Sequence, residues 1–502
     1  MKQLSGLDAA FLYMETPSTV GHVSSLSIYE RPSASYEPFA EWHRQVARRV
    51  HLLEPLTRRP VSVPFGLDHP FWVEDPHFHL DFHLRHTALP KPGTDEQLAD
   101  VVARIIARPI DRAHPLWESH VIEGLPGDRF AILTKVHHAT IDGASGAELL
   151  ALMLDASPDG DAIDAPPPRD PAPRLPNDIE LLAHAVASIA RKPGRLLVLS
   201  ARTLRELGRA TRNPLLLAAG NQLRASLHGP LGAVLNLGRQ RPAERDEPPL
   251  ALPSLRAPRT PFNASITPQR SFAFRSTSLD TVKAVKNALG ATVNDVVMAM
   301  CAGGLRTYLA AHDALPDDPL VAMVPVSIRT GAETEKWTNR VSGIIANLPT
   351  NEADPLLRVQ KVHDSMMTAK GIFDALPADA LTDFAQFSPP AVFTRASRMA
   401  TRFQVANRFT APVNLVVSNV PGPRETLYSA GARLLHYYPV SAIGESQGLN
   451  ITVQSYRNTL DFGLVSCPAL VPDLWTLADA IVDDLDALAR ASGLDVSALQ
   501  PA

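Results

Sequence analysis

Trp117-Glu118-Ser119-His120-Val121-Ile122 and Phe130-Ala131-Ile132-Leu133-Thr134-Lys135-Val136 flank the turn Glu123-Gly124-Leu125-Pro126-Gly127-Asp128. The second run ends at His137-His138-Ala139-Thr140-Ile141-Asp142-Gly143. Two β-rich runs around a Gly- and Pro-bearing turn predict a hairpin. Its returning strand delivers two histidines to a loop that also holds a carboxylate and a glycine. Ala147 to Leu154 then reads as a helix by apolar spacing.

Outward from this hairpin, helix and strand alternate. Glu41 to Val50 and Gln97 to Ala107 read as helices, and Phe71 to Val73 and Phe78 to Leu84 as strands. Further on, Leu279 to Leu289, Val293 to Leu309 and Leu474 to Leu488 read as helices. Leu320 to Val326, Val341 to Leu348, Asn414 to Ser418, Asn450 to Ser455 and Leu460 to Val465 read as strands. Two halves that each mix helix with sheet predict two α/β domains of similar kind.

Proline marks the joint. The chain has 502 residues, 45 of them proline, about 9% against a usual 5% or so. The excess gathers in Pro158 to Pro176 and Pro242 to Pro261, which read as extended linkers because proline has no backbone donor and disfavours helix before it. The division is residues 1–158, an N-terminal domain carrying the His-His loop; 159–260, linkers bracketing a helical insert; and 261–502, a C-terminal domain. The insert, Asn177 to Arg241, has ten basic and three acidic residues, +7 within a chain whose net charge is −4. A basic, apolar-faced helix in an otherwise acidic protein suggests contact with anionic lipid. A solvated helical linker between domains is the competing reading.

The rest of the composition excludes classes. A net charge of −4 gives no global basic field for nucleic acid. Two cysteines, Cys301 and Cys467, exclude a disulfide scaffold and read as buried thiols. The start shows no secretory signal, and no uncharged apolar stretch reaches the roughly 18–20 residues of a spanning helix. A cytoplasmic protein is expected, with membrane contact from the surface.

A histidine pair first suggests a metal. On a strand, however, His137 and His138 point to opposite faces, whereas a metal needs several converging ligands. No third ligand follows by spacing. One imidazole acting as general base fits better, since its ordinary pKa of about 6.5 lets the neutral form take a proton from an alcohol. Asp142 would orient the loop or hold a tautomer, and Gly143 would close the turn with a positive φ. Two ordinary histidines at a strand end are the bland alternative; a His-His-Asp-Gly set at a hairpin mouth favours function.

His137-His138-x-x-x-Asp142-Gly143 resembles the HHxxxDG signature of CoA-dependent acyltransferases, which include chloramphenicol acetyltransferase-like enzymes and peptide-synthetase condensation domains. Pro115-Leu116-Trp117-Glu118 resembles the PLW motif of the bacterial wax ester synthase/acyl-CoA:diacylglycerol acyltransferase family. Asn294-Asp295 resembles its ND motif, Asn419-Val420-Pro421-Gly422-Pro423 its NVPGP segment, and Ser5 to Leu12 its opening. The resemblance runs from residue 5 to about residue 485.

The resemblance implies an α/β fold of two chloramphenicol acetyltransferase-like domains with mixed sheets and an active-site channel at their interface. It implies that His138 is the catalytic base, His137 a supporting neighbour, and Asp142 and Gly143 structural. By analogy with condensation domains, Arg329 would pair with Asp142 from the second domain. Asn294 is either a substrate or oxyanion contact or a helix-start residue; Trp117 reads as core. The implied reaction moves a long-chain acyl group from acyl-CoA to diacylglycerol, or to a fatty alcohol, at a peripheral membrane or lipid-droplet surface on the cytoplasmic side. No metal or redox cofactor is expected. Gly444-Glu445-Ser446-Gln447-Gly448 fits the GxSxG pattern of serine esterases, but the alternating run after it reads as a strand, whereas a nucleophile elbow needs a helix there. A lipid binder without turnover is the third reading, and the intact dyad speaks against it.

Overall fold

Chain order explains how the hairpin is held. The computed structural model describes residues 2–141, 152–163, 174–191, 257–327, 341–374, 401, 404–407 and 411–495. The N-terminal half runs β1 (Lys2–Gln3), α1 (Gly6–Tyr13), β2 (His22–Glu30), α2 (Pro38–Arg49), β3 (Arg58–Val61), β4 (Phe71–Glu74), β5 (Leu84–Ala88), α3 (Asp95–Ile106), β6 (Trp117–Glu123) and β7 (Arg129–His137). Within the proline-bracketed segment lies α4 (Asp178–Arg191). The C-terminal half runs β8 (Ser271–Ser278), α5 (Leu279–Leu289), α6 (Val293–Ala311), β9 (Leu320–Ser327), β10 (Val341–Leu348), α7 (Pro355–Asp374), β11 (Leu415–Val420), β12 (Tyr428–Ser429), β13 (Ala432–Val440), β14 (Leu449–Tyr456), β15 (Thr459–Ser466) and α8 (Leu474–Ala491).

Two six-stranded sheets result, ordered β12-β13-β2-β7-β6-β5 and β10-β9-β11-β14-β15-β8, with a small third sheet β1-β4-β3. Both large sheets are mixed. β5 runs parallel to β6 in the first, and β11 parallel to β9 and β14 in the second; the other pairs are antiparallel. The halves interlock, because β13 comes from late in the chain yet pairs with β2, Tyr438 opposite Leu26. Where β13 crosses β15, a Cβ on Gly463 would sit 1.7 Å from the Pro439 carbonyl oxygen. Only glycine permits that backbone approach.

α3 fills the space between the sheets. Thr94 and Gln97 form its capping box, which satisfies two otherwise orphaned amide donors. Leu98, Val102 and Ile106 then share one buried cluster with Leu26 and Ile28 of the first sheet and Phe272, Phe274 and Val465 of the second. Each such side chain, fully buried, contributes about 1.5–3 kcal/mol. In the C-terminal core α6 is buried nearly all round, and Gly303-Gly304 admits α8: a Cβ at Gly304 would meet Ile481 Cγ1 at 2.4 Å.

The strand expected over Phe78 to Leu84 is not there. Leu80–His83 is one helical turn, and β5 begins at Leu84. The His83 ring is fully buried, stacks on Trp117 with centroids 4.5 Å apart, and its Nδ1 lies 2.9 Å from the Trp117 carbonyl. Tertiary packing overrides the apparent alternation. Most of the helix expected over Ala147 to Leu154 lies outside the described residues. Cys301 and Cys467 are free and buried, as expected.

Candidate active site

β6 and β7 form the expected hairpin, with Trp117 opposite Val136 and Ile122 opposite Ala131. β7 ends at His137, and the next three residues turn: the Thr140 N–H donates to the His137 carbonyl at 2.9 Å. The edge of β2 pins this turn. His22 pairs with His137, and the His138 N–H donates to the Gly21 carbonyl at 2.8 Å.

The two histidines meet different partners. His137 is buried, 1% exposed. Its Nδ1 accepts from the Ala139 N–H at 3.0 Å, so its proton sits on Nε2, which donates to Glu15 Oε1 at 3.2 Å. Glu15 is held in turn by the Gly21 N–H at 2.8 Å and by Arg112, whose Nη2 lies 2.5 Å from Oε2. Burial pushes the Glu15 carboxyl up, yet the hydrogen bonds from His137 and Arg112 and the charge of Arg112 outweigh it and bring it down to about 2. Burial also lowers the His137 pKa, and Glu15 offsets this only in part. His137 is therefore a neutral, doubly bonded support.

His138 is half-buried. The Phe11 ring of α1 lies flat against it, centroids 4.2 Å apart and planes 10° apart. One segment, α1 and the residues just after it, thus clasps both histidines, Phe11 on one and Glu15 on the other. Gly21 completes the clasp, since a Cβ there would lie 2.7 Å from His137 Nε2 and 3.0 Å from the Phe11 carbonyl. Glu15, Gly21 and Arg112 carried no signal in the local pattern around them, and Phe11 lies in the Ser5-to-Leu12 opening without a role read from it. A cavity of about 40 Å³ lies on the sheet face bearing Thr134 and Val136, between Ser25, Trp42, Trp117 and Tyr437. It has room for about one water-sized group, so a long chain enters it only if those rings move.

Asp142, Gly143 and Arg329 lie outside the described residues. Asn294 lies in the first turn of α6, where Thr292 is the N-cap and Asp295 closes the capping box. The helix start therefore uses Asp295, whose Oδ2 also accepts from His363 Nδ1 at 2.8 Å. The Asn294 Oδ1 accepts from Asn419 Nδ2 at 3.4 Å, which joins the Asn294-Asp295 and Asn419-to-Pro423 motifs. No described hydrogen bond takes Asn294 to the His138 turn. The Trp117 indole is core, its Nε1 donating to the Leu56 carbonyl at 2.8 Å. Among the described residues no group of three or more His, Cys, Asp or Glu is placed to hold a metal ion.

The Gly444-to-Gly448 run joins β13 to β14 through a tight turn, Gly444 and Gln447 exchanging backbone hydrogen bonds. It therefore runs strand to strand, and Ser446 sits in the left-handed region at φ 63°. Its neighbour Glu445 makes the informative contact: Ser18 Oγ donates to Glu445 Oε1 at 3.1 Å, and Arg270 Nη2 donates to the Ser18 carbonyl. This ties the C-terminal half to the segment that leads into Gly21.

Two interlocked α/β halves with mixed sheets and a His-His turn at the end of a hairpin define an acyltransferase of the two-lobed, chloramphenicol acetyltransferase-like class. The chain belongs to the wax ester synthase/diacylglycerol acyltransferase family: residues 4–297 match the model of its catalytic domain, and residues 337–489 that of its C-terminal domain. It is 37% identical to a Mycobacterium tuberculosis protein provisionally named diacylglycerol O-acyltransferase, with 98% of this chain and 100% of that one covered. It is 31% identical to the wax ester synthase/diacylglycerol acyltransferase from Marinobacter aquaeolei VT8, with a TM-score of 0.66 and 98% and 100% of the chains covered. The first condensation domain of the CDA synthetase shares the fold, at 17% identity and a TM-score of 0.53 over 100% of this chain and 98% of that one.

Proposed function

We propose that the protein transfers a long-chain acyl group from acyl-CoA to the free hydroxyl of diacylglycerol, giving triacylglycerol, with His138 as general base. The observation that carries this reading is the division of labour in the dyad. His137 is buried, neutral and committed to Glu15 and Ala139, while His138 is half-buried and oriented by Phe11. One imidazole fixes the turn and the other is positioned for chemistry.

In the proposed reaction the His138 imidazole takes the hydroxyl proton as the oxygen attacks the thioester carbonyl. The C–O bond forms, the C–S bond breaks, and the departing CoA thiolate takes the proton back from His138. General-base help supplies roughly 10²–10⁴-fold, so holding the two reactants in line supplies much of the rest. Asp142, Gly143 and Arg329 keep the structural roles that the resemblance implies. The acceptor follows the names of the curated relatives; the Marinobacter relative's name also includes wax ester synthesis, so a fatty alcohol is the second reading. The enzyme would work at the cytoplasmic face of a membrane or on lipid droplets.

The test gives purified protein one long-chain acyl-CoA with diacylglycerol and hexadecanol in competition, and measures CoA release and both products. Triacylglycerol as the main product, lost in His138→Ala, is expected. Wax ester alone moves the assignment to the second reading, and unchanged CoA release in His138→Ala removes His138 as base.

A further inference from the structure

Four large apolar side chains stand in solvent around one small lobe. Phe65 is 85% exposed, Leu67 45%, Ile179 78% and Val186 62%. α4 lies on the small sheet, Leu181 packing with Val63, Phe71 and Val73, and His184 meeting Phe71 at 5.9 Å. Ile179 and Val186 are seven residues apart, so they share the opposite helix face and point away from that contact. Phe65 sits on the turn Pro64–Gly66 with φ 60°, a conformation an L-residue adopts at a cost, and its ring is thrust into water. A strained turn that displays a phenyl ring beside an apolar helix stripe gains nothing in water alone.

Two further observations choose the occupant. Residues 192–241 follow directly on α4 and carry nine Lys or Arg against one acidic residue. The lobe also borders the catalytic turn: the Leu4 N–H donates to the Pro70 carbonyl at 2.9 Å, and Tyr13 Oη meets His69 Nδ1 at 3.2 Å. Tyr13 belongs to α1, whose Phe11 covers His138.

We infer that this lobe docks on an anionic lipid bilayer, with Phe65, Leu67, Ile179 and Val186 entering the acyl boundary. Apolar area and basic charge together make such binding stable where either alone is marginal. Docked in this way, the lobe holds α1 and His138 beside the layer in which an apolar hydroxyl acceptor dissolves. The inference rests on the lipid-acceptor reading for its purpose, though not for its measurement.

The experiment floats the full chain with vesicles of phosphatidylcholine, with and without phosphatidylglycerol. Flotation with the anionic vesicles is expected, weakening with added salt. Phe65→Ser with Leu67→Ser, and Ile179→Ser with Val186→Ser, should each lower partitioning about tenfold or more. Leu356→Ser with Met367→Ser, at exposed positions on α7, should leave it unchanged. Phe65→Trp gives a direct readout, since its emission should shift to the blue on the vesicles and be quenched by brominated lipid. An unquenched Trp at 65, or wild-type flotation of both double variants, overturns the inference. A drop in melting temperature with an unquenched Trp shows the stripe to be covered by the chain's own segment and overturns it too. CoA release with detergent-dispersed acceptor reports separately on acyl transfer, so failure of that reading is distinguished from failure of docking.

Discussion

The Phe11 ring lies parallel to the His138 imidazole at 4.2 Å between centroids, and both side chains belong to segments pinned at Gly21. A flat stack restricts rotation of the imidazole, because the two ring faces lie in contact. Phe11 is thus a positioning residue, and its contribution falls on the step that needs alignment.

Phe11→Ala should lower kcat about tenfold or more, as loss of alignment does, with little change in KM for acyl-CoA. Phe11→Tyr, which keeps the ring, should restore most of the rate. Steady-state kinetics of the two variants decide the matter; an equal rise in KM with unchanged kcat would make Phe11 part of the binding surface instead.

Glu15 sets a pH dependence. Its carboxyl falls from 4.5 to about 2 in the folded protein. The folded state then binds fewer protons than the unfolded chain, so the stabilisation is fully present above about 4.5 and is lost as pH falls toward about 2. Glu15→Gln should cost about 2–3 kcal/mol at neutral pH and flatten the stability curve between those limits. Urea melts of both proteins across acid pH test this. His137, whose pKa is lowered by burial, makes both proteins lose further stability as pH drops below about 6.5.

Gly21 offers a contrast between two glycines. At Gly21 an added Cβ meets His137 Nε2 and the Phe11 carbonyl, whereas at Gly290 it meets nothing within 4 Å, although φ is 65°. Gly21→Ala should therefore displace the dyad and reduce activity by about 10²-fold or more. Gly290→Ala should cost about 1 kcal/mol of stability and leave kcat unchanged. Equal activity in the two variants would show that the clasp does not bear on catalysis.

What the sequence reveals is what local pattern can carry. The hairpin Trp117–His137 and the helices Leu279–Leu289 and Val293–Ala311 are visible because their periods are set by backbone geometry and read within one segment. The dyad is visible because its residues are adjacent. β13 is not, since its place beside β2 depends on a partner some 400 positions away, and β2 itself, His22 to Glu30, reads Val-Ser-Ser-Leu-Ser-Ile without clean alternation. Glu15 lies 122 residues from the histidine it holds, and no spacing rule joins them. Phe78 to Leu84 shows the converse failure, where an apparent alternation yields to the burial of His83 against Trp117.

The Gly-x-Ser-x-Gly run gives the last discriminating pair. Ser446 occupies a strand-to-strand turn, and the structure uses its carbonyl, which accepts from Asn263 Nδ2 at 2.7 Å. Ser446→Ala keeps that carbonyl, so transfer activity should remain within about twofold of wild type, as for a surface substitution. Glu445 differs, because it accepts from Ser18 Oγ and lies beside Arg270, whose guanidinium burial lowers to about 10. Glu445→Ala leaves Arg270 without its nearby carboxylate and loosens the segment Ser18 to Gly21, on which the His138 turn hangs. It should lower kcat several-fold and destabilise the fold by about 0.5–1.5 kcal/mol, the worth of the one hydrogen bond lost. Measured side by side, a dead Ser446→Ala with an active His138→Ala would hand the chemistry to the serine, whereas the opposite pattern keeps it on the imidazole.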